Sequence, residues 1–345
     1  MKVDLATLLQ KLELVSPALT TKPVLEQSSC FVFSGDKLLA FDGKILIQTD
    51  TPLPGISDMA VGASLLLKLL SKFPDERISV THKEGELRIR SGRRTAGIVC
   101  DSEVVLPFGA VPVPVESNWE PIDEKTILHL KQAVKATGGD ENSQYVLSCV
   151  RVRPDSISSS DTHQLYYAKG TTGFMEELLL PSGPLAAVAN MNPVNMTQTK
   201  DWCYFQLADK TEISVRCVNG RYPNIEDIVR IPGPYVVDLP SALIEMLGRA
   251  DVMVETGDRR HVDVEITEGS LCISARRSEG WYRETEDIVY TGEPIAFMAS
   301  PSLLKDLLGR SLKVSISQDR TRMLVCDDDV HYLIALLTKG QIAGQ

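Results

Sequence analysis

The sequence predicts an α+β chain of three similar domains, each built from two halves in which a helix covers a small antiparallel sheet. Three observations carry that expectation. The 345 residues divide as 345/3 = 115, an ordinary domain size. An amphipathic helix followed by short strands of period two recurs six times. Proline clusters at 107–114 and at Ile231-Pro232-Gly233-Pro234 then cut the chain into 1–117, 118–232 and 233–345. One helix with a small sheet cannot bury both its own stripe and the sheet face, so six such halves pair into three domains.

The first half opens at Asp4, a residue type that caps helices, with Leu5, Leu8, Leu9, Leu12 and Val15 on one face before Pro17. Strands follow through CFVFSGDKLLAFDGKILIQTD, broken at Gly35-Asp36 and Asp42-Gly43. The second half has its helix from Ala63 and strands in which Ile78, Val80, Leu87 and Ile89 alternate inward. The third helix starts at Asp123, carries Ile127, Leu130 and Val134, and places Gly138 where a C′ glycine is expected. PSGPLAAVANMNP is a short, interrupted fourth helix, followed by the hairpin CYFQLADKTEISVRCVNGRYP. LPSALIEMLGRA is the fifth. The sixth is the best marked, with Ser300 as N-cap, Pro301 at N1, leucines 303, 304, 307 and 308, and Gly309 at C′.

Composition narrows the function. With 43% hydrophobic and 24% charged residues the chain builds cores, and no apolar run reaches the roughly 18 residues of a membrane span. A cytoplasmic protein is expected. Seven scattered cysteines without a C-x-x-C pair read as buried thiols in a reducing compartment. No nucleotide-loop, nucleophile-elbow or zinc-protease motif occurs, the five histidines are dispersed, and Asp327-Asp328-Asp329 sits where a hairpin turn is expected, so neither an enzyme nor a cofactor is expected.

The net charge of −10 argues against bulk attraction to nucleic acid, so any such role needs segregated cations. Lys11, Lys68, Lys72, Lys131, Lys135, Arg249, Lys305 and Arg310 lie on or at the ends of the expected helices. They form either ordinary solvated faces or one common basic surface.

Four strings in order resemble the bacterial sliding clamp, the beta subunit of DNA polymerase III, over essentially the whole chain. LRIRSGRRTAGIVC is similar to the family's L-x-[IV]-x-SG-[RK] hairpin, SSDTHQLYYA stands at T-D-G-H-R-L-A, NGRYPNIEDIV at D-G-R-[FY]-P-D-Y, and VHYLIALL at the final Y-[LV]-[VI]-M-P strand. The resemblance implies the DNA clamp fold and a head-to-tail homodimer closing into a ring. Helices would line a hole threaded by double-stranded DNA, and polymerase and clamp loader would dock through short peptide motifs. A clamp-fold scaffold or decoy that does not encircle DNA is the alternative.

The resemblance also assigns residues. Lys22 matches a loop cation that touches DNA in the family. The partner-peptide groove would fall at Val146 or Leu147, at Ser160, Thr162, His163, Gln164 and Leu165, at Pro232, and at Leu333, Ile334, Ala335, Leu336 and Leu337; the other reading of these residues is a core seam. From the residues themselves, Val252, Met253 and Val254, just before the charged stretch 255–260, and the alternating Ala96 and Ile98 are the candidate faces of a head-to-tail seam between two copies. The family's D-G-H-R becomes Asp161-Thr162-His163-Gln164 and its M-P becomes Ala335-Leu336, changes that suit a divergent or bacteriophage-encoded member.

Overall fold

The computed structural model describes residues 1–74, 76–114, 118–138, 145–229, 235–254 and 260–337. Among them one order of elements, strand, helix and three strands, recurs six times. The first repeat is β1 (Lys2–Asp4), α1 (Leu5–Val15), β2 (Cys30–Ser34), β3 (Lys37–Phe41) and β4 (Ile45–Asp50). The second is β5 (Met59–Gly62), α2 (Ala63–Leu70), β6 (Arg77–Lys83), β7 (Glu86–Ser91) and β8 (Arg94–Asp101). The third is β9 (Glu120–Pro121), α3 (Glu124–Lys135), β10 (Cys149–Arg153), β11 (Ser156–Ser160) and β12 (Gln164–Lys169). The fourth is β13 (Leu178–Pro181), α4 (Ser182–Met191), β14 (Asn195–Gln198), β15 (Trp202–Gln206) and β16 (Glu212–Arg216). The fifth is β17 (Tyr235–Asp238), α5 (Ala242–Ala250), β18 (Val262–Thr267), β19 (Ser270–Arg277) and β20 (Gly280–Asp287). The sixth is β21 (Ile295–Ala299), α6 (Pro301–Leu308), β22 (Lys313–Ile316), β23 (Arg322–Asp327) and β24 (Val330–Ala335).

The strand ahead of each helix is what the sequence reading lacked. These leading strands exchange: β1 pairs with β6, β5 with β2, β9 with β14, β17 with β22 and β21 with β18. Each exchange ties an odd repeat to the even repeat that follows it.

The described residues gather into two compact units. The first, Met1–Val134 with Val152–Pro154 and Thr172–Gly220, holds a twelve-stranded sheet ordered β1-β6-β7-β8-β5-β2-β3-β4-β16-β15-β14-β9. Its helix α1 lies over β3 and β4 and buries Leu5, Leu8, Leu12 and Val15, each contributing about 1.5–3 kcal/mol. Asp4 caps it by accepting the Thr7 N–H at 2.8 Å. The second unit, Lys135–Arg151 with Asp155–Thr171 and Arg221–Gln345, holds the strand run β10-β11-β12-β24-β23-β22-β17 and a four-stranded sheet ordered β20-β19-β18-β21.

Some local expectations change. Gly309 follows α6 in right-handed conformation (φ −64°) rather than as a left-handed terminator, and Ser300 caps that helix without a side-chain bond. The left-handed C-cap occurs instead on the interrupted fourth helix, at Asn192 (φ 52°). Asp328 (φ 47°) makes the aspartate triplet a β23–β24 hairpin turn. Of the seven thiols expected to be buried, only Cys100, Cys149 and Cys203 are; Cys30, Cys217 and Cys272 are half-buried and Cys326 is exposed.

Candidate functional site

The helix cations separate into those that stand free and those held by a neighbouring side chain. Lys11 is half-buried on α1, and its Nζ donates to Asp209 Oδ2 at 2.8 Å and Thr49 Oγ1 at 2.9 Å. Burial pushes the Asp209 carboxyl up, but its bonds from Lys11 and Thr211 outweigh that and hold it below the ordinary carboxylate value. Lys11 is therefore a clip between α1 and the β15–β16 turn. Arg249 on α5 places Nε and Nη2 on Glu284 at 3.0 and 2.8 Å, with Tyr282 at 3.1 Å and Glu245 at 3.6 Å. That bidentate pair cancels its charge. Arg310, expected at a helix end facing DNA, instead stacks its guanidinium on Tyr332 at 4.2 Å and on Tyr166 at 5.6 Å.

Lys22, Lys68, Lys72 and Lys135 are exposed, and their ammonium groups have no partner among the described residues. Lys131 on α3 donates to Asn192 Oδ1 at 2.8 Å, a neutral acceptor that leaves its charge uncompensated. Lys305 on α6 is half-buried, with its amine lying over α5 at Gly248, where a Cβ would come within 3.3 Å of Nζ. Lys125, which the sequence reading passed over, is exposed on α3. Its signal was present: Lys125, Leu128, Lys131 or Gln132, and Lys135 recur at helical spacing.

The groove candidates meet on the pair β12–β24, where period-two geometry sorts them onto opposite faces. Leu165 stands opposite Leu333, and Gln164 opposite Ile334. Leu165 and Leu333 therefore share one face with Ala335, while Gln164 and Ile334 share the other with Tyr166 and Tyr332. Ile334, fully buried, and Gln164 thus leave the set of groove residues. Gln164 instead accepts the Tyr332 hydroxyl at 2.6 Å and donates to Lys135 O at 3.2 Å and Asp161 Oδ2 at 2.9 Å.

On the other face Leu324 faces Leu333, Leu333 faces Leu165, and Leu165 faces Ser160. Leu324, which the sequence reading missed, completes a row of three leucines at 8, 5 and 2% exposure. These leucines are buried, so the accessible candidates beside them are Thr162, His163 and Ala335, whose N–H donates to His163 O at 2.7 Å, while Val146 is half-buried in a separate 3-10 turn. Leu147 is buried in a 3-10 turn, Tyr145–Ser148. Leu336 is buried with its N–H on Thr321 O at 2.7 Å, and Leu337 exchanges two 2.8 Å bonds with Met298. Pro232 lies outside the described residues.

Thr162 holds φ 79°, a left-handed value that favours glycine and strains a β-branched residue. The turn is fixed around it. Asp161 Oδ1 accepts the His163 and Gln164 N–H groups at 2.8 and 2.7 Å, and Ser160 Oγ accepts that of Thr162 at 3.2 Å.

Of the seam candidates, Ile98 and Ala96 turn inward on β8, opposite Leu87 and Ile89, and Ile98 is 4% exposed. They belong to the first unit's own core. What β8 leaves open is its backbone edge, since only Cys100 and Asp101 pair with β5, together with the outward Val99 at 83% exposure. A Cβ at outward Gly97 would collide with the Glu86 carboxylate, which would have to swing aside. In the second unit β20 pairs with β19 and is the end of its sheet. Its Trp281 is 66% exposed, beside exposed Val252 and half-buried Met253, whose sulfur lies near Gly280; Val254 is buried. Trp281 carries no sequence signal of its own until the sheet order shows that its strand ends a sheet.

Burial pushes Tyr166 up to about 12, with Arg310 pulling it the other way, and burial pushes Tyr332 and Tyr222 further still. Their folded-state values are raised, so the stability they contribute is complete below the ordinary value of 10.0 and lost as pH rises toward about 12. An alkaline titration should show these three phenols ionising only with unfolding; their ionisation near 10 in the folded protein would contradict that burial.

No protein-family model matches the chain, and no curated protein matches it. Solved structures do. The DNA polymerase III beta-subunit sliding clamp of Bartonella birtlesii, bound to griselimycin, gives a TM-score of 0.84 at 16% identity over 98% of this chain and 99% of that one. A DNA polymerase III beta subunit from Eubacterium rectale gives 0.82 at 18% over 98% and 99%. The DNA polymerase sliding clamp of Bacillus subtilis gives 0.80 at 17% over 98% of both. The chain has the fold of these clamps.

Proposed function

We propose, from the sliding-clamp fold, that two copies of the chain close head to tail around duplex DNA and tether a polymerase to it. One observation carries the reading. Each repeat ends in a strand, and four of these last strands pair as β4 with β16 and β12 with β24. The remaining two, β8 and β20, keep an open edge among the described residues. Setting β8 of one copy against β20 of the next completes the pattern, and a heterologous contact of this kind closes a ring only if the rotation permits. Charge supports it: beyond the pairs Arg88–Glu86, Arg277–Glu279 and Arg249–Glu284, the β7–β8 hairpin carries Arg90, Arg93 and Arg94 and the end of β20 carries Glu286 and Asp287.

In this reading the domains are 1–117, 118–232 and 233–345, a division supported by the strand exchange within each pair of repeats. Trp281, Val252 and Met253 meet the outward face of β8. Lys22 and the uncompensated helix lysines face phosphates, giving weak contact without base readout. Partner peptides dock over the leucine row, rimmed by Thr162, His163 and Ala335. The chain itself does no chemistry and works in the cytoplasm; among the described residues no helix is long and apolar enough to cross a membrane.

The carboxylate-paired cations Lys11 and Arg249, with Arg310 stacked on Tyr332, favour a second reading, a scaffold that binds replication factors without encircling DNA. Light scattering and a circle-retention assay separate the two. A clamp should run at twice 38.0 kDa and, once loaded, stay on closed circular DNA until the circle is cut. A protein that stays monomeric at micromolar concentration and leaves circles and linear duplex at the same rate is a scaffold.

A further inference from the structure

We infer that helix-borne phosphate contact is confined to two lysine stripes, Lys68 and Lys72 after Leu65 on α2, and Lys125, Lys131 and Lys135 around Leu128 on α3. The cations of α1, α5 and α6 do not touch DNA. The inference rests on the sliding-clamp reading and adds which part of each chain holds the duplex.

The two helices share a pattern. Leu65, Lys68 and Lys72 stand at i, i+3 and i+7, as do Leu128, Lys131 and Lys135, a spacing that sets each trio along one side of its helix. The leading leucines are exposed, at 59 and 53%, so these sides face solvent rather than core. Lys72 lies in the turn just past α2, which continues the stripe. Each stripe thus offers about one ammonium per helical turn, with no carboxylate partner among the described residues.

Elsewhere the helix cations are held by neighbours. Lys11 is held by Asp209, Arg249 by Glu284, and Arg310 is stacked on Tyr332. Lys305 lies down against Gly248. Lys11 and Arg249, each already paired with a carboxylate, neutralise no further phosphate and so release no DNA counterion; Arg310 and Lys305 keep their charge but are half-buried, one against Tyr332 and the other against α5, rather than standing out from a helix face.

Around α3 the surface is shaped for a polyanion. Lys125 and Lys131 line a cleft of about 520 Å³ with Leu128 and Asn192, and Glu124 is the one carboxylate among its lining residues. The bond to Asn192 holds the Lys131 ammonium in place while leaving two N–H donors unused. Helix α4, whose C-cap supplies Asn192, has no charged residue and presents small ones, Gly183, Ala186 and Ala187, so nothing projects to keep a phosphate backbone away.

The test is the salt dependence of association with a short duplex between about 50 and 200 mM salt, where the log–log slope carries about 0.9 for each phosphate that the protein neutralises. Three paired variants are compared: Lys68→Gln with Lys72→Gln, Lys131→Gln with Lys135→Gln, and Arg249→Gln with Lys305→Gln. The first two pairs should each flatten the slope by about one or more and weaken binding at low salt at least severalfold. The third should leave slope and affinity at parental values. Equal flattening by all three overturns the inference, as does a parental slope in either lysine pair. Melting curves and mass are measured on each, since all the replaced side chains are exposed or half-buried. A parent protein with no measurable salt slope would instead remove the clamp reading itself.

Discussion

A Trp281→Asp chain should run as a 38.0 kDa monomer at concentrations where the parent runs at twice that mass. The indole is 66% exposed on the terminal strand of its sheet, an arrangement that a soluble protein avoids unless another chain covers it. Covering it removes on the order of 100–150 Å² of apolar surface, or roughly 3 kcal/mol per seam, about a hundredfold in affinity. The ring has two identical seams, so the loss is incurred twice. Val99→Asp, on the opposite edge, should have the same effect. Mixing the two variants is the decisive measurement. A head-to-tail seam predicts that β8 of the Trp281→Asp chain still accepts β20 of the Val99→Asp chain, restoring a dimer with one sound seam that cannot close. If β20 paired with β20, Val99→Asp would dimerise unaided, and the head-to-tail arrangement would be ruled out.

The helices and their stripes were legible because they are local: Leu5, Leu8, Leu12 and Val15 declare a buried face without knowledge of what covers it. The leading strands were not, because a strand such as Lys2–Asp4 or Glu120–Pro121 has too few residues to show a period and exists only through its partner. The same limit hid the fate of the cations. Lys11 meets Asp209 across 198 positions of sequence, and a lysine opposite a leucine stripe looks the same whether its amine is free or paired. Groove parity is a different matter. Leu333 and Ile334 are adjacent on a strand, so the alternation alone places them on opposite faces, whereas the resemblance puts both in one groove.

That parity changes what Leu165→Asp should do. A replacement on an open pocket would block peptide capture and spare the fold; at 2% exposure, with Ser160 on one side and Leu333 on the other, Leu165 is part of a sheet's packed face. Removing it forfeits about 1.5–3 kcal/mol of apolar burial. The carboxyl then escapes charge by taking a proton, leaving a polar group without a partner at about 1–3 kcal/mol more. The sum, roughly 3–6 kcal/mol, approaches the 5–15 kcal/mol that holds a typical domain together. The variant should therefore show an early thermal transition of the second unit, and any loss of peptide binding would be its consequence. Truncation before Leu336 is no cleaner, because it strips the Thr321 and Met298 backbone bonds. The rim is where recognition can be tested alone: Ala335→Glu, half-buried beside Leu333, should melt within a few degrees of the parent and yet reduce capture of a polymerase-derived peptide at least tenfold. If Leu165→Asp melted like the parent while Ala335→Glu bound peptide normally, the leucine row would have to be open to water and the docking site would lie on another strand pair.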